Sequence, residues 1–117
     1  MKNNIKDLKT RKILKETEDG LKKIFGDNYI KIILYGSYSK NKQDEESDID
    51  ILFLTDLDKE ELISYRDKIA DLMVDLSLKF DVLVSIHEIN VDDYNSYIKY
   101  VPFYEKVEKE GIEINGL

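Results

Sequence analysis

The chain of 117 residues has no cysteine, only one proline and one histidine, and no long apolar run. Without cysteine, disulfide scaffolds, zinc fingers, thiol catalysis and iron–sulfur clusters are excluded. The apolar runs are far shorter than the roughly 20 residues of a membrane helix, and a charged segment rather than an apolar signal core follows Met1. We expect a cytoplasmic protein without membrane contact, folded as one domain over residues 1–117.

Basic residues are too few to balance the acidic ones. Asp and Glu outnumber Lys and Arg by 25 to 18, which gives a formal charge of −7. Such a surface is unfavourable for gripping nucleic-acid backbones over a broad face, so stable nucleic-acid binding is not expected. A small anionic ligand held through metal ions remains compatible with this charge.

The spacing of apolar residues predicts an α/β fold with the order α-β-β-α-β-α-α. The predicted elements are helices over about 5–25 and 59–77, strands over 29–35, 48–54 and 80–86, and two short helices around Pro102. A short polar connector lets the first two strands pair antiparallel, and the helical crossover makes the second and third strands parallel. We therefore expect a small mixed sheet with helices packed on it.

Three aspartates converge on one edge of this predicted sheet. Asp48 and Asp50 are two residues apart and share a face of the second strand, and Asp81 lies on the third strand, where it can join them. Carboxylates this close repel one another and need a cation, and oxygen-only sites favour magnesium, whose open positions substrate phosphates fill. Gly36 and Ser37 suit close backbone approach and hydrogen bonding to phosphate. The set predicts phosphoryl or nucleotidyl transfer.

The spacing of these residues resembles a known signature. Gly36-Ser37, ten further residues and Asp48-Ile49-Asp50 resemble the GSx10DxD motif of the DNA polymerase β-like nucleotidyltransferase superfamily. The short chain is similar to the minimal members, the MNT antitoxins that pair with HEPN toxins, over about residues 20–112. The resemblance implies the nucleotidyltransferase fold, two magnesium ions held by Asp48, Asp50 and Asp81, and ATP as the nucleotide donor.

The resemblance also implies a nucleotide-binding loop and a reaction. Gly36 and Ser37 would hold the triphosphate tail, and Ser39 and Lys40 continue the loop where the family more often has a small residue and arginine. The implied reaction transfers AMP from ATP to a tyrosine hydroxyl of a cognate HEPN ribonuclease toxin, and pyrophosphate leaves. Two alternatives stay open: a binding module that neutralises a partner by masking it, and a freestanding transferase that acts on a small molecule or an RNA end.

Other residues have plainer interpretations. Asp56 and Asp58 form a second D-x-D tripeptide, which we interpret as a turn and a helix N-cap. Asp81 could alternatively be an edge-strand charge. His87 has no serine or carboxylate at a telling spacing, so we expect a surface or partner contact. We interpret four tyrosines mainly as packing beneath the sheet, namely Tyr94, Tyr97, Tyr100 and Tyr104.

Overall fold

The computed structural model describes residues 7–40 and 48–114, except for the side chains of Ser37 and Lys40. Its helices and strands, in chain order, are α1 (Leu8–Phe25), β1 (Tyr29–Tyr35), β2 (Ile49–Thr55), α2 (Lys59–Ile63), α3 (Arg66–Phe80), β3 (Val84–Asn90), α4 (Val91–Tyr97), α5 (Pro102–Glu110) and β4 (Ile112–Ile114). Short 3-10 helices at Gly26–Asn28 and Gly36–Lys40 follow α1 and β1. Within these ranges, no helix has the length and apolar character needed to cross a bilayer.

The four strands form one mixed sheet in the order β3-β2-β1-β4. β1 is antiparallel to β2 and to β4, whereas β2 and β3 are parallel. A short connection can join antiparallel neighbours, but parallel strands need a crossover, which α2 and α3 supply. The predicted mixed α/β fold and the directions of both predicted strand pairs are confirmed.

Helices cover both faces of the sheet. On one face, Ile49, Ile51 and Phe53 pack with residues of α1 and α3 in a larger core. On the other face, Leu52 and Leu54 pack with residues of α4 and α5 in a smaller core. Successive side chains of a strand point to opposite faces, which explains the alternation along β2. All five side chains are fully buried, because β2 is an inner strand of the sheet with helices on both faces.

α1 packs closely on α3 at a glycine. A Cβ on Gly20 would lie 2.7 Å from Leu72 Cδ1 of α3. α1 runs through Gly20 as one continuous helix. The Asp7 carboxylate caps its first turn by accepting the Thr10 N–H. The predicted start at Ile5 lies outside the described residues.

The crossover and the third strand differ from the prediction. The single helix predicted over 59–77 is two helices, because the chain turns at residues 64–65. Asp58 is the N-cap of α2 as predicted, and its carboxylate accepts the Glu61 N–H at 2.8 Å. α3 continues to Phe80, so the third strand begins at Val84 and not at Phe80. Asp81 ends α3 in the left-handed conformation, with a φ of 52°.

The C-terminal part contains a strand that was not predicted. β4 has three residues, and Ile112 and Ile114 pack in the larger core beside β1. An alternation this short cannot be distinguished from an irregular segment by its pattern. The two predicted helices around Pro102 are confirmed as α4 and α5.

Two side chains of α3 form hydrogen bonds with the outer side of β3. The Val84 N–H donates to Ser77 Oγ at 2.9 Å, and the Ile86 N–H donates to Met73 Sδ at 3.2 Å. β2 is the sheet neighbour of β3, on its other side. α3 is therefore held on β3 by polar contacts as well as by core packing.

Candidate active site

The end of β1 meets the start of β2 at a contact between Gly36 and Asp50. Gly36 directly follows β1 and has a φ of 78°, a value that favours glycine. A Cβ at this position would lie 2.8 Å from Asp50 Oδ2. Glycine is therefore the residue that fits here without displacing the carboxylate, and the Gly-Ser turn lies directly against Asp50.

Asp48 and Asp50 stand at the beginning of β2. Asp48 is exposed just before the strand, and Asp50 is half-buried on the strand face of Leu52. Burial raises the pKa of Asp50, and the charge of Asp48 raises it further. The two carboxylates thus repel each other at a partly desolvated position. A cation bound by both would relieve the repulsion and favour the ionised forms.

The turn after β1 is a 3-10 helix from Gly36 to Lys40. The Ser39 hydroxyl donates to the Gly36 carbonyl at 2.8 Å, and Ser39 is nearly buried. This hydrogen bond holds the turn closed, which is a structural role that the sequence did not indicate. The side chains of Ser37 and Lys40 lie outside the described part, so their phosphate contacts stay predictions.

Asp81 does not lie on a strand. It is exposed at the end of α3, and β3 begins only at Val84. The prediction that Asp81 shares the sheet face of Asp50 is wrong, because the residue stands outside the sheet. In the parallel register of β2 and β3, the partner of Asp50 is Ser85. A metal-binding role of Asp81 stays a prediction.

The described residues contain no group of three Asp, Glu, His or Cys side chains that could hold a metal ion. Two carboxylates are nevertheless a common protein contribution to a magnesium site, because substrate phosphates and water complete the coordination. Asp48 and Asp50 offer oxygen ligands, which favour a hard ion. The pair therefore fits a hard divalent ion whose remaining coordination positions are filled by oxygens from outside the protein.

The sequence model of the family described as "Nucleotidyltransferase domain" matches residues 14–114, a span that contains Gly36, Asp48 and Asp50. The chain belongs to this nucleotidyltransferase family. The predictions of a nucleotidyltransferase family and of a nucleotidyltransferase activity class are thus confirmed.

One relative of this nucleotidyltransferase and two solved structures illustrate the match. A Methanocaldococcus jannaschii protein named "Putative protein adenylyltransferase MJ0141" is 33% identical over 102 residues, which cover 87% of this chain and 95% of the relative. A chain from the complex of tri-AMPylated Shewanella oneidensis HEPN toxin with MNT antitoxin has a TM-score of 0.52 and 22% identity over 94% of this chain and 71% of that chain. A chain from a toxin–antitoxin structure with AMP-PNP has a TM-score of 0.51 and 24% identity, and the match covers 86% of this chain and 73% of that chain. The two solved structures share the fold.

Two aromatic side chains that the sequence did not indicate, Tyr35 and Phe103, lie beside the candidate site. Tyr35 is the β1 partner of Asp50, and burial, followed by the charge of Asp50, raises the pKa of Tyr35 to about 12. The Phe103 ring of α5 meets the Tyr35 ring edge-on, with the ring centres 5.5 Å apart. The position of Tyr35 follows from the antiparallel pairing of β1 with β2, but no sequence pattern places Phe103 there.

The C-terminal tyrosines mostly pack beneath the sheet, as predicted. Tyr94 is buried in the smaller core, and Tyr97 and Tyr104 pack against that core. Tyr100 is an exception, because 82% of it is exposed. His87 is exposed, and its Nε2 lies 3.3 Å from the Tyr104 hydroxyl oxygen. The structure thus places His87 at the surface of the nucleotidyltransferase domain, as expected.

A cleft of about 390 Å³ opens beside α2, β3 and α4. Its lining carries both signs of charge, including Arg66 and Asp93. Neither Gly36 nor the aspartate pair lines it. The candidate nucleotidyltransferase site is therefore built from a turn and two strand ends, away from this cleft.

Proposed function

We propose that this chain transfers AMP from ATP to a tyrosine hydroxyl of a HEPN-type toxin in a magnesium-dependent reaction, and that it thereby acts as an antitoxin in the cytoplasm. The observation that carries the proposal is the contact of Gly36 with Asp50, whose charge interacts with that of Asp48. The family and the name of the archaeal relative support nucleotidyl transfer to a protein. A chain of the same fold in a complex with an AMPylated HEPN toxin supports a HEPN-type acceptor. Another, in a toxin–antitoxin structure with AMP-PNP, supports ATP as the donor.

In the proposed reaction, the acceptor oxygen forms a bond to the α-phosphorus of ATP. The bond from this phosphorus to the bridging oxygen of the β-phosphate breaks, pyrophosphate leaves, and the hydroxyl proton passes to solvent. Magnesium, when bound, neutralises charge on the phosphates and on the leaving group. Asp48 and Asp50 would hold it; β2 carries Asp50, and the absence of a side chain at Gly36 leaves room for its carboxylate.

The turn after β1 would bind the triphosphate. Gly36 has no side chain to obstruct the approach of a phosphate, and the backbone N–H groups of such a turn can donate to phosphate oxygens. Ser39 keeps the turn closed through its hydrogen bond to Gly36. Ser37 would add a hydroxyl donor and Lys40 a positive charge. The chain thus contributes mainly the positioning of phosphate and metal.

Label transfer tests this proposal. The chain is incubated with magnesium, α-labelled ATP and a HEPN-type candidate partner, and we expect label on a tyrosine of the partner, located by mass spectrometry. Asp50→Asn should reduce the transfer at least about hundredfold, as is typical when an electrostatic stabiliser is removed. Asp71→Asn is the matched control, because it removes an exposed carboxylate from α3, a helix that packs on the larger-core face, and it should leave transfer unchanged.

Other outcomes would contradict the proposal in distinguishable ways. Transfer that survives Asp50→Asn undiminished would refute the assignment of the aspartate pair. Neutralisation of the toxin by both wild type and Asp50→Asn without any label would indicate a binding module that masks its partner. Label that appears on a small molecule or an RNA end instead would indicate a freestanding transferase.

A further inference from the structure

β3 brings a serine next to the aspartate pair. Asp50 and Ser85 are partners in the parallel register of β2 and β3. Partners in neighbouring parallel strands present their side chains to the same face of the sheet. The packing of β3 agrees, because Val84 and Ile86 lie in the larger core and Ile89 lies in the smaller one. Ser85 therefore stands on the face of Asp50, where it is half-buried.

No described carboxylate takes this place. Asp81 is exposed at the end of α3, outside the sheet. Across residues 7–40 and 48–114, no third acidic or histidine side chain joins the pair to form a metal-binding group.

We propose that Ser85 occupies the third position of the site, and that the chain therefore binds a divalent ion only together with nucleotide phosphates. The inference rests on the nucleotidyl transfer proposed above. Two carboxylates offer few ligands to an ion that gives up its water reluctantly, whereas the phosphates of ATP supply both further oxygens and further charge. Binding of the ion and of the nucleotide is then coupled, and each increases the affinity for the other by the same factor.

Binding of Mn²⁺ without nucleotide tests the assignment of Ser85. The free ion is followed by its electron paramagnetic resonance signal at about pH 8, where carboxylates are ionised. Wild type should bind Mn²⁺ weakly, and Ser85→Asp should tighten binding by about tenfold or more, because it adds a charge beside Asp50. Ser85→Asn, which has nearly the same shape as Ser85→Asp but no charge, should behave as wild type. Asp81→Asn should also leave the affinity unchanged.

The need for nucleotide is tested by the melting temperature of the wild-type chain. Mn²⁺ with a nonhydrolysable ATP analogue should raise the Tm, whereas Mn²⁺ alone at the same concentration should not. Ser85→Asp should respond to Mn²⁺ alone. Because neither measurement needs an acceptor, the label-transfer experiment can fail while these results hold, and the reverse is also possible.

Three results would overturn the inference. Tight Mn²⁺ binding by the wild type that Asp81→Asn weakens would give the third position to Asp81. Tight wild-type binding that Asp81→Asn leaves intact would show that the site needs no nucleotide. Wild-type affinity in a Ser85→Asp variant that is folded by circular dichroism would show that Ser85 does not face the aspartate pair.

Discussion

Replacement of Gly36 by alanine should damage the site more than the fold. At a φ of 78°, alanine costs about 1–2 kcal/mol of unfolding free energy relative to glycine. The new Cβ would also lie 2.8 Å from Asp50 Oδ2, which is too close for these atoms. Because this oxygen is at the end of a rotatable side chain, the carboxylate can turn away. The clash should therefore change the position of a metal ligand and add little to the loss of stability.

Thermal melts with and without magnesium and a nonhydrolysable ATP analogue separate the two effects. For a chain of this size, about 1–2 kcal/mol corresponds to a Tm lowered by about 3–10 °C. Gly36→Ala should show this loss together with a reduced ligand-induced rise in Tm. Gly26→Ala is the matched control, because Gly26 has a φ of 57° but nothing lies within 4 Å of its added Cβ. That variant should be destabilised and yet keep the full ligand-induced rise.

Two outcomes would refute this role of Gly36 in positioning the Asp50 carboxylate. If Gly36→Ala keeps both the full ligand-induced rise in Tm and the wild-type rate of label transfer, the geometry of Asp50 against the turn is not part of the nucleotide site. If both variants lose the ligand-induced rise equally, the loss comes from general destabilisation and the reasoning about the Asp50 carboxylate is refuted.

Three further predictions concern the free energy of folding without ligand. Asp50→Asn should raise the Tm near neutral pH, because the raised pKa of Asp50 means that folding disfavours its ionised form. The gain should vanish below pH 3.8, the ordinary pKa of an aspartate, because the carboxyl is then protonated in both the folded and the unfolded state. Thermal melts at a series of pH values check this. Asp58→Ala should lower the unfolding free energy in urea titrations by about 1 kcal/mol, since it removes the capping box of α2, and should leave the ligand-induced rise unchanged. Tyr94→Phe should cost about 1 kcal/mol in the same titration, because the Tyr94 hydroxyl donates to Glu108 Oε1 at 2.8 Å.

The pairing of β1 with β2 and the position of the aspartate pair could be predicted because both follow from short-range rules. Side chains along a strand alternate, so a buried Ile49 places Asp48 and Asp50 together on the other face. The contact of Gly36 with Asp50 depends on the antiparallel pairing that a short connector permits.

The start of the third strand could not be predicted from its own residues. The sequence from Phe80 alternates as a strand does, but Phe80 also continues the apolar stripe of α3 and packs against the larger core. Asp81 tolerates the left-handed conformation, so the helix can end there and the strand can begin later. The partner of Asp50 is consequently Ser85. Contacts between residues far apart in the chain decide between these two outcomes.

The hydrogen bonds from β3 to α3 have a consequence for self-association. β3 is the outermost strand on its side of the sheet, and such a strand can recruit a strand of another molecule through unpaired N–H groups. Here the outward N–H groups of Val84 and Ile86 are already occupied by Ser77 and Met73 of the same chain. This half of β3 is thereby closed to intermolecular strand addition, so copies of the chain should not polymerise through it.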